Sequence, residues 1–206
     1  NILFSAAIAT GGQNLALDAG TAGNITLSAA LTGRGAMTVR DGAVQAYGAL
    51  TVGSLSIADA TTSVTFGGAV ASGAITVNSG GTIVQTGAVT AATNIDYDAG
   101  STIALNAAIA ASGTVAIDST GVTTIAAAGA ITAGGAVTFG AAKSGTLTTA
   151  GDVDTTDDNI TFTRAVTLTA AVDIDTVGGS AGNILFSAAI ATAGQDLTLD
   201  AGTAGN

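Results

Sequence analysis

The chain contains the same passage twice. Residues 1–24 read NILFSAAIATGGQNLALDAGTAGN and residues 183–206 read NILFSAAIATAGQDLTLDAGTAGN, differing only at Gly11/Ala193, Asn14/Asp196 and Ala16/Thr198. The passage that opens at Asn1 opens again at Asn183. A sequence that returns to itself over a fixed distance belongs to a repeat architecture, in which each unit buries its apolar face against its neighbours. Residues 1–206 thus read as one continuous segment, with 1–182 as one long repeat and 183–206 as the start of the next copy. Both ends fall inside the pattern, and the expectation is an interior piece of a longer chain.

A shorter motif lies within the long one: apolar-x-apolar-x-small-small-apolar. Examples are Ile2 to Ile8, Ile25 to Leu31, Val44 to Leu50, Val64 to Val70, Ile103 to Ile109, Ile125 to Ile131 and Val166 to Val172. Its third position falls at 4, 27, 46, 66, 85, 105, 127, 149, 168 and 186, so nine short units make one long repeat. Most units carry a second apolar pair after a glycine-bearing link, as in Leu15/Leu17, Met37/Val39, Leu55/Ile57, Ile95/Tyr97 and Val137/Phe139. Period-two alternation over three to five residues is a strand signal.

Composition decides between strand and helix. The chain has 46 Ala, 34 Thr and 30 Gly, and Ala favours helices. Against that stand glycine about every seven residues, the period-two pattern, and abundant Val, Ile and Thr. Coils of about 20 residues leave no room for helices between the strands. One such coil cannot bury its own apolar face, but a stack of coils can. The expected fold is all-β: a right-handed parallel β-helix, or β-solenoid, of about ten coils of roughly 20 residues, the hand following from the bias of parallel crossovers. Equivalent residues then lie about 4.8 Å apart along the axis, and nine coils advance about 43 Å.

Each dominant residue type acquires a place in this fold. The motif's apolar positions point inward, and Phe4, Phe66, Phe139, Phe162 and Phe186 fill the lumen. Gly is expected at corners with positive φ. Asp18, Asp41, Asp59, Asp98, Asp118 and Asp200 follow second strands, where a short carboxylate accepts hydrogen bonds from turn amides. The absence of Pro keeps the ladder free of gaps.

In coil length, lack of Cys and richness in Gly, Ala, Thr and Val, the whole chain resembles filamentous-haemagglutinin-type exoproteins and the giant repeat-containing surface proteins of Gram-negative bacteria. The resemblance implies a secreted, elongated β-helical shaft at the cell surface or outside it.

Several functions are excluded on chemical grounds. No His or Cys is present, so the usual zinc, haem, thiol and disulfide chemistry is ruled out. Four basic residues, Arg34, Arg40, Lys143 and Arg164, on a chain of net charge −10 cannot neutralise a nucleic-acid backbone. Polar residues or glycine interrupt every apolar run before the roughly 18 residues a spanning helix needs, so no membrane insertion is expected.

The densest charge is Asp152, Asp154, Asp157, Asp158, Asp173 and Asp175. Aligning Val153 with Val172 stacks Asp154 on Asp173 and brings Asp152 and Asp175 close. Oxygen ligands of this type suit Ca²⁺, so Asp152, Asp154, Asp173 and Asp175 form a candidate calcium site. Turn chemistry and solvation compete with that assignment. No other cofactor is expected. Arg34 and Arg40 flank a turn, where an ion pair to Asp41 or to a neighbouring coil is expected. The outward column Ala16, Thr38, Ser56, Thr76, Asp96, Ala116, Thr138, Thr161, Asp173, Thr198 is too irregular for ice binding. Tyr47 and Tyr97 are isolated, fewer rings than a sugar-binding platform needs. No residue pattern points to catalysis, and no enzyme activity is expected.

The function expected is therefore structural: a segment of a long extracellular fibre, whose partners are further copies of itself, stacked axially or joined covalently in tandem. An adhesin or carbohydrate-binding surface meeting a glycan or host surface is the alternative. A polysaccharide-active β-helix enzyme is a lower one.

Overall fold

A computed structural model describes residues 1–176, 182–203 and 205. The chain is an all-β parallel solenoid. Each coil has three strand-bearing sides, met in the same order. The first coil contributes Ile2–Phe4, Ile8–Ala9 and Leu15–Leu17, and the second contributes Ile25–Leu27, Leu31–Thr32 and Ala36–Val39. The second sides form a ten-stranded parallel sheet running from Ile8–Ala9 to Leu197–Asp200, so nine full turns separate its first strand from its last. The first and third sides share an 18-stranded sheet, joined by the 13-residue strand Ser54–Phe66. That strand serves as the third side of one coil and, without a break, as the first side of the next. Among the described residues helix is confined to a three-residue 3-10 turn, Ala127–Gly129.

The strands form where the period-two pattern lies, and stacking turns each inward position into a column. On the third side Leu55, Ile75, Ile95, Val115 and Val137 follow one another in register, and on the second side Leu50, Val70, Val89, Ile109 and Ile131 do the same. All of these side chains are buried in one continuous core. Five of the seven aromatic rings stack inside it as two groups, Tyr47–Phe66–Tyr97 and Phe139–Phe162, with Phe186 extending the second group. Phe4 packs half-buried against the end of the core.

Four registers differ from the sequence alignment, one of them at the second NILF passage, where Ile184–Phe186 pairs with Ile160–Phe162 and not with Val166–Leu168, so that the long repeat is not nine whole coils. In the third coil Gln45 and Tyr47, not Val44 and Ala46, point inward, and Val44 is exposed. The one-residue slip brings the Tyr47 hydroxyl onto Gln45 Oε1 at 2.7 Å, satisfying both polar groups inside the lumen. Near the 3-10 turn, Ile125 pairs with Leu105 rather than Ile103, and Ala127 is exposed. The turn absorbs two residues, so that Ile131 still pairs with Ile109. At the last coil the pairing is Val153 with Ile174 and Asp154 with Asp175, so Asp154 does not stack on Asp173. Asp173 pairs with Thr198 on the second side, and the third-side outward column continues from Thr161 to Leu185 instead.

The role expected for glycine is also corrected. Positive φ is found at Gly11, Gly12, Gly20, Gly140, Gly194 and Gly202 among the described glycines. Elsewhere the constraint is the close approach of one coil to the next. A methyl group on Gly53, Gly73 or Gly87 would overlap the carbonyl of Arg34, Gly53 or Gly68 in the preceding coil.

Candidate functional site

Two charged regions stand out, both at the edges of the stacked sides. The first contains the four aspartates expected to bind calcium. Asp154 is an outward residue of the second-side strand Val153–Thr155, next to Thr132 in the coil before and Asp175 in the coil after. Asp175 in turn neighbours Asp200. Asp152 precedes its strand, and its Oδ1 accepts a hydrogen bond from the Asp173 amide at 2.9 Å. Burial, then Asp152, Asp175 and Asp173, push the Asp154 carboxyl above its ordinary value. The four residues are therefore near one another, as expected. Among the described residues, however, no group of three or more aspartates is arranged to hold a metal ion.

The hydrogen bond made by Asp152 recurs elsewhere with asparagine. Asn14 Oδ1 accepts from the Ala36 amide at 2.9 Å, Asn94 Oδ1 from Thr114 at 2.9 Å, and Asn159 Oδ1 from Asn183 at 2.9 Å. In each case a short side chain just before a strand accepts the amide of the equivalent residue, or its neighbour, one coil on. Asp152 occupies the same structural position as these asparagines.

The second region lies at the corner that follows the third side. Asp98 and Asp118 stack there in register, with Asp96 two residues before Asp98 on the outward face. Lys143, from the link between Val137–Phe139 and Thr146–Thr149, reaches back two coils to pair with Asp98 and also donates to the Ala99 carbonyl at 3.1 Å. Arg164 is only 3% exposed. Its Nη1 donates to Ser119 Oγ at 3.0 Å and Thr123 Oγ1 at 3.1 Å, and its Nη2 lies 3.4 Å from Asp118 Oδ1. Burial lowers its pKa, opposed by Asp118. Nearby, burial first and then Asp98 and Asp118 raise that of Asp96. The arrangement neutralises two stacked carboxylates and fixes the corner.

In the sequence these two cations look scattered, and their convergence is not evident. One signal was available: Lys143 and Arg164 fall after third-side strands, where other coils carry aspartate. Arg34 and Arg40 behave otherwise than expected. Neither forms an ion pair among the described residues, and Asp41 Oδ1 is buried without a hydrogen-bond partner. Arg34 lines an open depression of 450 Å³ together with Ala9, Gly11, Gly12, Thr32, Gly33 and Thr51. Tyr47 and Tyr97 are both buried in the lumen, so they offer no platform to a sugar.

No helix among the described residues is long and apolar enough to cross a membrane. No family model, no curated protein and no solved structure matches this chain.

Proposed function

We propose that the chain is a segment of the structural shaft of a long extracellular fibre, comparable in role to the rods of filamentous-haemagglutinin-type exoproteins. The observation that carries this reading is the unbroken parallel ladder, which runs through every coil from the first to the last along one core. A rod of this kind transmits load along its backbone hydrogen bonds and resists bending. Tandem 182-residue repeats lengthen it without any new fold. Calcium at Asp152, Asp154, Asp173 and Asp175 is not required by this role.

Interior coils support axial stacking, because each is covered on both faces by neighbours of the same kind and open strand edges pair readily with further strands.

Electron microscopy of the purified chain over a range of concentrations tests the proposal. The expected result is rods of constant width that lengthen in steps of about 46 Å, the height of nine and two-thirds coils at about 4.8 Å each. Compact particles that do not elongate, combined with selective binding on a glycan array, would replace the shaft by a carbohydrate-binding surface. Release of reducing sugar from a polysaccharide would point to an enzyme instead.

A further inference from the structure

The two copies of the repeated passage occupy different sides of the solenoid. In the first copy Ile2–Phe4 is a first-side strand, pairing with Ile25–Leu27. In the second copy the identical residues Ile184–Phe186 form a third-side strand, pairing with Ile160–Phe162. The rest of the passage moves with them. Ile8–Ala9 lies on the second side, but Ile190–Ala191 lies on the first and pairs with Val166 and Thr167. Leu15–Leu17 lies on the third side, but Leu197–Asp200 lies on the second and pairs with Val172–Asp175.

Counting sides gives the size of the shift. With Ser54–Phe66 counted as two, Ile184–Phe186 is the 27th side and Ile2–Phe4 the first, a separation of 26. Three sides make a coil, so 26 sides are eight and two-thirds coils. The packing inside the lumen favours the shifted phase. Phe186 stacks on Phe162 at 4.5 Å, and Phe162 stacks on Phe139 at 5.0 Å, making a three-ring column. The unshifted phase would place Phe186 on Leu168 and end that column at two rings.

We infer that successive 182-residue repeats are rotated by a third of a turn about the solenoid axis, so that an array displays each repeat's surface on all three sides. The inference rests on the shaft reading only for the existence of an array. Pairing inside a repeat is unaffected, because every strand still meets the neighbour specified by its own sequence. What changes is the direction in which an outward residue faces. Leu3, 68% exposed on the first side, becomes Leu185, 52% exposed on the third. Three repeats together make 26 coils and restore the original direction after about 125 Å, at about 4.8 Å per coil. A surface feature that occurs once per repeat thereby meets its surroundings from three directions, and a partner recognising it can decorate the whole circumference.

Disulfide trapping tests the winding directly, since the chain has no cysteine of its own. Adjacent strands lie about 4.8 Å apart, within the span a disulfide bridges. The outward neighbours in the shifted phase are Thr161 and Leu185. In the unshifted phase they would be Thr167 and Leu185. Thr161→Cys with Leu185→Cys is expected to crosslink on mild oxidation, whereas Thr167→Cys with Leu185→Cys is not. Thr90→Cys with Ala110→Cys, an established pair in the middle of the second side, serves as the positive control. Crosslinking through Thr167, or none through Thr161 when the control succeeds, overturns the inference. Either outcome leaves the shaft reading intact, because that depends on elongation and not on phase.

Discussion

At the residue scale the dominant constraint is the distance between coils. Strand spacing leaves no space for a side chain where one corner passes over the carbonyl of the corner before it. Gly73 illustrates this, because its missing methyl would overlap the Gly53 carbonyl oxygen. Gly67 illustrates the converse. A Cβ there would meet the Tyr47 carbonyl at 3.5 Å, ordinary contact, and its φ is not positive. Gly73→Ala is expected to destabilise the protein by about 1–3 kcal/mol, as overpacking does. Gly67→Ala should be neutral, or stabilising by about 0.4–1 kcal/mol through the unfolded chain. Urea unfolding of the two variants side by side checks both. A count of 30 glycines suggested turns, but only position relative to the next coil distinguishes these two. That position depends on contacts between one whole coil and the next, which a local pattern cannot register.

At the scale of the strand and its corner, register is set by what the lumen accepts. The motif places Val44 inward because Val is apolar, yet Gln45 and Tyr47 took the interior by bonding to each other. Gln45 Nε2 also donates to the Asp59 carbonyl at 3.0 Å, so its amide is satisfied on both sides. A buried polar pair with its bonds complete costs little, and the ring brings more apolar area than a valine. The corner held by Arg164 is less complete, since its Nε is buried without a hydrogen-bond partner and only the two terminal nitrogens are engaged. Its guanidinium joins Ser119, Thr123 and Asp118, which come from the corner two coils earlier. Arg164→Ala is expected to cost about 3–5 kcal/mol by leaving Asp118 without its cation. Arg164→Lys should recover only part of this, since an ammonium lacks the planar fork that reaches three acceptors. Thermal melts of the two variants decide the matter, and equal losses would show that charge alone is not what the corner needs.

At the scale of the whole molecule the net charge of −10 is spread along a rod. Asp96 and Asp154 both have carboxyls pushed above the usual 3.8, first by burial and then by neighbouring aspartates. A raised folded value means that the folded protein holds these protons more tightly than the unfolded chain does. Stability is therefore greatest below the unfolded value and falls as pH rises through the folded one. Lowering the pH from neutral toward the unfolded value should raise the melting temperature, since these two carboxyls take up their protons earlier in the folded protein than in the unfolded chain. Asp96→Asn combined with Asp154→Asn should flatten the profile. A melting temperature that falls over this range in the parent chain would contradict the assignment. The same protonation reduces repulsion between rods, so axial association should strengthen together with the melting temperature.

The repeat, the strand period and the composition were enough to define a parallel solenoid of short, similar coils with an apolar lumen. Those features are local, and stacking simply repeats them. The phenylalanines at 66, 139 and 162 could be assigned to the core for the same reason: each sits at an apolar position of an alternating strand. The vicinity of Asp152, Asp154, Asp173 and Asp175 was also legible, but the partner of Asp154 was not. Whether Asp154 meets Asp173 or Asp175 depends on how coils of unequal length share their spare residues. The corner of Lys143 and Arg164 depends on the same accommodation, across two whole coils of chain. So does the side on which the second NILF passage falls. Tertiary structure alone decides these, because a strand's sequence specifies which face is apolar but not which of several similar neighbours it will lie against.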